Sequence, residues 1–224
     1  AAAGDGGGEL PGGLRDLLLQ RVARLSDPAR ALLRLAAAAG REVRYPLLRA
    51  IAGLAEGELR DSLRQAVEHG ILVAEPETGS FRFRHALLAE AVYATILPGE
   101  REGLHAWLAG ELARSGMAGA AELAPHWAAA GRPAEALVAS VEAARQAEAV
   151  SGLAEAHTHL ERALALWPAV PDAAGLAGID PAGLCAWTAG LASHVGAAPR
   201  AVELARRAIE LVGSEDPHRA ALLQ

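Results

Sequence analysis

Ile71-Leu-Val-Ala-Glu-Pro-Glu-Thr-Gly-Ser-Phe-Arg-Phe-Arg84 is the stretch that decides the fold of the first half of this chain. Residues 71–75 form a compact apolar run, residues 76–80 hold the Pro and Gly of a turn, and residues 81–84 alternate aromatic and basic side chains. Two short strands joined by a turn are therefore predicted. From His85 onward the sequence carries no further strand signal, so we expect the remainder to be helical.

The residues before this hairpin have helical periodicity. Apolar side chains recur at helical spacing in residues 14–25, and Ser26-Asp27-Pro28 supplies the N-cap and early proline of a second helix that runs to about residue 39. Further helices are predicted over residues 45–52 and 56–69. Three or four helices followed by a two-stranded wing indicate a winged-helix domain over residues 14–97. The Gly-rich residues 1–13 are expected to form a flexible lead-in.

The residues after the hairpin are organised as successive helices. Helices over 85–97 and 99–115 are separated by Pro98, and residues 98–118 are expected to form a helical connector. Residues 119–224 then carry helical patterns at 120–130 and 133–150, at 153–167, and at 181–195 and 199–212, with Gly turns at 131 and 196. This periodicity predicts a truncated array of helical repeats, and an irregular helical bundle is the alternative.

The composition limits the possible functions. The 224 residues are 52% hydrophobic and only 4% aromatic, which favours a mainly α-helical globular protein. All 21 residues in the Lys+Arg total are Arg, so neither a lysine-dependent phosphate-binding loop nor a Schiff-base lysine is possible in this chain. The formal net charge of −6 disfavours non-specific binding to nucleic acid or to an anionic membrane.

The cellular setting is predicted from three further features. Cys185 is the only cysteine, which excludes an intrachain disulfide and a four-cysteine zinc site. Neither an uncharged apolar run of about eighteen residues nor a basic-then-apolar leader occurs, so a cytoplasmic protein is expected. The chain begins at Ala1 and stops at Gln224 inside an apolar helical pattern, and we therefore expect it to be part of a longer protein.

The helix predicted at residues 56–69 is a poor candidate for DNA recognition. Recognition helices present basic and amide side chains to base edges and phosphates. This helix instead carries two arginines against four acidic residues, and its first turn is acidic. A protein–protein or intramolecular role is preferred to DNA binding. The charged residues are Glu56, Glu58, Arg60, Asp61, Arg64 and Glu68.

Neither a metal site nor a catalytic residue is predicted. His157 and His159 are two positions apart, so they leave a helix on different sides and cannot chelate one ion as an i, i+4 pair does. Cys185 lies in an apolar helical segment, where a buried and inert thiol is expected. No G-x-S-x-G segment is present. We therefore expect that this chain is not itself an enzyme.

His85 lies where a short basic strand passes into an apolar helix. The free N–H groups in the first turn of such a helix, together with the local helix dipole, favour a negatively charged ligand. A histidine at this position can address the same anion, and phosphate is one candidate. The alternative is that His85 caps the helix or packs beneath it.

Several segments stand in a definite order along residues 10–131. They are Leu10-Pro-Gly-Gly-Leu-Arg-Asp-Leu-Leu-Leu-Gln-Arg-Val-Ala-Arg-Leu25, Ala29-Arg-Ala-Leu-Leu-Arg-Leu-Ala-Ala-Ala-Ala-Gly40, Phe83-Arg-His-Ala-Leu-Leu-Ala-Glu-Ala-Val-Tyr93, Glu100-Arg-Glu-Gly-Leu-His105 and Ala124-Pro-His-Trp-Ala-Ala-Ala-Gly131. Their order resembles the region after the ATPase module in large bacterial transcriptional regulators of the LuxR type. These regulators belong to the signal-transduction ATPases with numerous domains. The resemblance covers most of residues 10–167, and the Phe-Arg-His run with its downstream Tyr is its most specific part.

The resemblance implies a regulatory role. In that family the winged helix folds against an upstream nucleotide-binding domain and helps to hold the ADP-bound resting state. Tetratricopeptide-like repeats, here residues 119–224, would sense an inducer or partner, and a separate C-terminal module would bind promoters. No cofactor is then expected in this chain itself, whereas ADP or ATP is expected in the parent protein. Neither direct DNA contact nor membrane binding is expected from this part.

The resemblance also implies a phosphate contact. Arg84-His85-Ala86-Leu87 resembles the Met-His-Asp motif of the wider ATPase class, in which the histidine contacts the β-phosphate of ADP. Arg84 replaces the Met and Ala86 replaces the Asp, so the contact of the acid is missing. His85 and Arg84 are the candidate cofactor-binding residues. Two other functions stay open on the sequence alone: a helical-repeat scaffold for a partner protein, and a DNA-binding winged helix.

Overall fold

The structure, a computed structural model, describes residues 12–40, 42–116 and 118–215. These residues are mainly helical, as the composition predicted, with a small three-stranded antiparallel sheet. They divide into two compact units, an N-terminal unit that ends at Glu111 and a C-terminal unit that starts at Leu112. None of the described helices has the length and apolar character needed to cross a membrane. Of the predicted lead-in, residues 1–11 lie outside the described residues, whereas Gly12 and Gly13 begin the first helix.

The N-terminal unit alternates helices with three short strands. The predicted helix at residues 85–97 is shorter than expected and ends at Tyr93, because the Thr95 amide and hydroxyl both donate to the carbonyl of Val92 in a turn. The elements are α1 (Gly12–Ala23), α2 (Asp27–Ala39), β1 (Glu42–Arg44), α3 (Tyr45–Ile51), α4 (Glu56–Glu68), β2 (Leu72–Glu75), β3 (Ser80–Phe83), α5 (Ala86–Tyr93) and α6 (Pro98–Ser115), which extends past Glu111.

The sheet has three strands rather than the two that were predicted. β2 and β3 form the expected antiparallel hairpin, in which Leu72 is opposite Phe83. β1 pairs with the other edge of β3, with Val43 opposite Phe81, so that β3 is the central strand. The two-stranded wing is therefore corrected to a sheet with the order β1-β3-β2.

The core of the N-terminal unit follows from the apolar spacing along its helices. Leu32 and Leu33 of α2, Leu48 of α3 and Leu59 of α4 are each 0–1% exposed. Phe83 at the end of β3 is 7% exposed and closes the same core from the sheet. Alternation along β3 places its basic Arg82 on the opposite face, where the side chain pairs with Glu75 at 2.7 Å. The same face is partly covered, because Ser80 is 1% exposed there and its hydroxyl donates to the carboxylate of Glu42 in β1.

The C-terminal unit consists of helices in the described residues. Four of the predicted helices agree with the observed ones to within one residue at each end, and the fifth, predicted at residues 199–212, extends to Glu215. One short helix, α10, and a 3-10 turn before it were not predicted. The elements are α7 (Ala120–Ala129), α8 (Pro133–Ala149), α9 (Leu153–Leu166), the 3-10 turn (Trp167–Ala169), α10 (Ala173–Ala177), α11 (Pro181–His194) and α12 (Ala198–Glu215).

Small side chains dominate the interface between α8 and α9. Ala144, Ala156 and Ala163 are fully buried there beside Leu137 and Leu160. Because an alanine side chain ends at Cβ, helices lined with alanine can approach each other closely and still fill the space between them. The packing of the C-terminal unit therefore depends on close helix contact more than on large side chains.

Two hydroxyl groups are fully buried in the same unit. The Oγ of Ser140 donates to the carbonyl of Ala136 at 2.7 Å, and the Oγ1 of Thr188 donates to the carbonyl of Leu184 at 2.7 Å. Each hydroxyl thus bonds to the preceding turn of its own helix. Burial of these polar groups is tolerated because each has a partner.

Candidate functional site

The junction between β3 and α5 places His85 at the start of a helix. The amide of Arg84 donates to the carbonyl of Ile71 at 2.9 Å and so fixes the end of the hairpin. His85 follows in an extended conformation (φ −135°, ψ 135°), and its carbonyl accepts the first bonds of α5 from Leu88 and Ala89. The imidazole is exposed and makes no capping bond to the helix. Among the described residues it has no hydrogen-bond or ion-pair partner.

The other candidate residue, Arg84, lies against the end of α4. Gly70, just after α4, has two arginine side chains beside it. If Gly70 carried a Cβ atom, that atom would lie 3.6 Å from Nε of Arg84 and 2.8 Å from Nη2 of Arg21. Arg21 also donates to the carbonyl of His69 at 2.8 Å. Two guanidinium groups therefore meet the negative end of the α4 dipole.

Arg84 and His85 are neighbours whose side chains have different surroundings. Successive side chains of an extended segment leave it on opposite sides. Arg84 lies beside Gly70, whereas His85 is exposed at the start of α5. The two side chains therefore do not converge on one position at which both could contact the same phosphate. A phosphate contact from Arg84 stays a prediction, and it would require the guanidinium to leave the end of α4.

Both arginines of α4 are neutralised by carboxylates on the same helix. Arg60 pairs with Glu56 at 2.8 Å, and Arg64 pairs with Asp61 at 2.7 Å. The Tyr45 hydroxyl also donates to Glu56 at 2.7 Å, and this bond, assisted by Arg60, lowers the pKa of Glu56. The helix that would enter the major groove of DNA therefore offers few free positive charges to phosphates.

A polar cluster joins the end of α5 to the first half of α6. The hydroxyl of Tyr93 is 2.9 Å from Nε2 of His105, and the two rings meet edge to face. The guanidinium of Arg101 lies 4.6 Å from the centre of the Tyr93 ring and donates to the carbonyl of Ile96 at 2.8 Å. His105 is 6% exposed, and its burial, followed by the charge of Arg101, lowers its pKa. The sequence gives no signal for this contact, because it depends on how α5 and α6 pack in the fold.

This shifted pKa predicts a pH-dependent stability for the N-terminal unit. Because folding lowers the pKa of His105 below 6.5, the unfolded chain binds a proton that the folded protein resists. We therefore expect the free energy of unfolding to fall as the pH falls from about 6.5 toward 5. Urea denaturation at several pH values measures this decline. The His105→Gln variant should show a shallower decline, and an unchanged slope would rule out His105 as its source.

A cavity of about 530 Å³ lies beside the Tyr93–His105 pair, and we call it the α5 cavity. Its walls are the end of α2 (Ala37, Ala38 and Gly40) and one face of α5. That face presents Ala86, Ala89, Glu90 and Tyr93, which stand at i, i+3, i+4 and i+7, while Leu88, Ala91 and Val92 point into the core. His105 of α6 completes the lining.

A second cavity, of about 540 Å³, lies in the C-terminal unit. Leu123 and Trp127 of α7 face Val138 of α8 across it, and Leu176 of α10 lines the same space. Val138 and Leu176 are 39% and 49% exposed, so the surface is apolar and open. We call this cavity the repeat groove.

The helices of the C-terminal unit partly or fully bury His157, His159 and Cys185. Nε2 of His157 is 3.5 Å from Glu161, which binds Arg200 through two contacts of 2.8 Å. Burial lowers the pKa of His159 and raises the pKa of the Cys185 thiol, which is 1% exposed. Among the residues that the structure describes, no group of three or more side chains is placed to hold a metal ion.

The comparisons with known proteins found one significant similarity. An uncharacterized protein of Rhizobium meliloti (strain 1021) is 32% identical over 157 residues, which is 67% of this chain and 15% of that protein. The chain therefore spans less than a fifth of the length of its curated relative. No family model matches the chain, and no solved structure matches it.

Proposed function

We propose that this chain is a non-catalytic regulatory part of a multidomain, ATP-dependent transcriptional regulator of the LuxR type. In this proposal the N-terminal unit is a winged helix that docks on an upstream nucleotide-binding domain, and the C-terminal unit is a tetratricopeptide-like array that senses a ligand or partner. The observation that carries it is the exposed imidazole of His85, without a partner in the described residues, at the start of α5.

The arrangement around the hairpin supports the winged-helix assignment. Helices α2, α3 and α4 precede the β2–β3 hairpin, and β1 adds a third strand to it. The ion pairs within α4 favour a docking role over DNA binding, because both of its arginines are already satisfied by Glu56 and Asp61. The helix is then a surface for another domain of the same protein.

A phosphate contact by His85 would couple nucleotide to domain docking. The imidazole can donate to a phosphate oxygen, and the free amides at the start of α5 favour the same charge. Such a charge-assisted bond holds the winged helix on the nucleotide-binding domain while ADP is bound. Nucleotide exchange, or a ligand on the repeats that binds the released state more tightly, would then free it.

Two further observations support the regulatory role. The relative from Rhizobium meliloti is several times longer than this chain, as expected for a segment of a multidomain protein. The repeat groove gives the C-terminal unit an open apolar surface on which a ligand or partner can bind. In such a protein the whole chain would act in the cytoplasm, where promoters and nucleotides are available.

Removal of His85 should weaken ADP retention in the longer protein that includes the upstream domain. Loss of one charge-assisted hydrogen bond corresponds to about 1.5–3 kcal/mol, or more than a tenfold change in affinity. The measurement is the amount of ADP that stays bound after gel filtration and is released on denaturation, for the native protein and for His85→Ala. His85→Gln, whose amide can donate a hydrogen bond, should keep part of the retention.

His194→Ala is the matched control, because His194 is also exposed but lies in the C-terminal unit. Equal ADP retention in the His85→Ala and native proteins would refute the phosphate contact. If neither protein holds nucleotide, the chain is better explained as a repeat scaffold for a partner protein. Duplex DNA binding with a steep salt dependence would instead favour the DNA-binding alternative.

A further inference from the structure

The α5 cavity has the size and the lining of a small-molecule site. Its volume of about 530 Å³ falls within the roughly 300–1,000 Å³ that is usual for ligand pockets. Most of its wall consists of small side chains: Ala37 and Ala38 on α2, and Ala86 and Ala89 on α5. Gly40 opens it further, because no atom lies within 4 Å of the point that a Cβ there would occupy. The cavity therefore offers a small ligand an apolar surface built from α2 and α5.

One charged group lines this apolar space. Glu90 is exposed at the cavity, and its carboxylate has no hydrogen bond or ion pair with the residues that the structure describes. The other acidic residues near it in sequence, Glu77, Glu100 and Glu102, do not line the cavity, so Glu90 is the carboxylate that a ligand there can meet. An unpaired carboxylate beside an apolar wall attracts a cation that carries an apolar body.

The polar groups at the other side of the cavity are already ordered. Tyr93 is held between His105, 2.9 Å from its hydroxyl, and Arg101 on one face of its ring. The ring therefore forms a rigid wall, and little side-chain freedom is lost when a ligand packs against it. Glu90 and Tyr93 are three positions apart on α5, so charge and aromatic wall occur on the same face of the helix.

From this combination we propose that the α5 cavity binds a small aromatic amine in its protonated form. The aromatic body packs on Ala86, Ala89 and the Tyr93 ring, and the ammonium group pairs with Glu90. His85 itself does not line the cavity, although its neighbour Ala86 does. It would make the N-terminal unit, and not only the repeats, responsive to a small molecule.

Three probes of similar size and different charge test this proposal on the 224-residue chain. They are 2-phenylethylamine, 3-phenylpropionate and the neutral 2-phenylethanol, each titrated near pH 7.5 and followed by saturation-transfer NMR. We expect the amine to bind at least tenfold more tightly than the carboxylate. Equal affinity for the two charged probes, or no binding of any probe, would overturn the proposal.

Two variants locate the site. Glu90→Gln, at an exposed position, should lower the affinity for the amine about tenfold and leave the affinity for the neutral alcohol unchanged. Ala86→Met, also at an exposed position, should fill the cavity and lower the affinity for both the amine and the alcohol. Glu58→Gln on α4 is the matched control, because it removes an exposed carboxylate of the same unit away from the cavity. Thermal unfolding of each variant checks that it is folded. An amine affinity that is unaffected by both Glu90→Gln and Ala86→Met would place binding elsewhere and refute the assignment.

Discussion

Leu160→Ala should lower the free energy of unfolding of the C-terminal unit by about 2–5 kcal/mol. Leu160 lies in α9, is 0% exposed and belongs to the cluster formed with Leu137 and Val141 of α8. Its neighbours include several alanines, whose side chains are too short to move into the space that the substitution leaves. The loss should therefore lie toward the upper part of this range.

Urea denaturation measures this change through tryptophan fluorescence, because Trp127, Trp167 and Trp187 all lie in the C-terminal unit. Val202→Ala is the matched control. Val202 is an aliphatic residue of the same unit that is 51% exposed on α12, so its truncation should change the free energy of unfolding by less than about 0.5 kcal/mol. Similar losses in both variants would contradict the packing described for α8 and α9.

Phe83→Ala should destabilise the N-terminal unit by about 3–5 kcal/mol. Phe83 is 7% exposed at the end of β3, opposite Leu72 of β2, and it lies two residues before His85. Its removal takes away the buried anchor of the strand that leads into α5. The same variant in the longer protein should therefore lose ADP retention, although Phe83 itself would not contact the nucleotide.

Hydrogen exchange of the backbone amides in residues 80–83 reports this effect locally. Protection should fall by more than a hundredfold in Phe83→Ala, since about 3 kcal/mol corresponds to that ratio. Phe81→Ala is the control within the same strand, because Phe81 is only half-buried and should lose less protection. If the two variants behave alike, Phe83 is not the principal anchor of the hairpin.

Helices with strong periodicity and clear end signals were predictable from the sequence. The helix predicted at residues 133–150 is observed as Pro133–Ala149, with Pro133 in its first turn. The compact apolar run that begins at Ile71 and the alternation at 81–84 likewise predicted the β2–β3 hairpin. In each case the signal is local, because the spacing of side chains within one segment determines which face is buried.

Elements that depend on distant partners were not predictable. β1 has only three residues, Glu42-Val-Arg44, too few to show alternation, and it exists because β3 offers a free edge to it. The five-residue helix α10 follows Asp172, whose backbone is in the left-handed conformation (φ 55°). Aspartate tolerates this conformation, but its presence in a sequence does not predict it. Both elements are stabilised by tertiary contacts rather than by local propensity.

The candidate site was predictable only in part. The position of His85 at the start of a helix followed from the change of pattern after Phe83, and the structure places it there. The position of the Arg84 side chain beside Gly70 did not follow, because it requires α4 and β3 to be neighbours in space. No signal for the α5 cavity was present in the sequence. Its alanines and glycine come from separate segments, and such small residues are common in any helical protein, so the cavity exists only once those segments pack together.

The alanine-rich contact between α8 and α9 restricts which sequences can replace one another during evolution. At positions such as Ala144 and Ala156, a larger side chain would force the helices apart, whereas a hydroxyl can be satisfied by the preceding turn, as Ser140 and Thr188 already are. Neutral drift at this interface should therefore exchange alanine with serine or glycine and exclude leucine or valine. Distant homologues would then share the size of these residues more closely than their polarity.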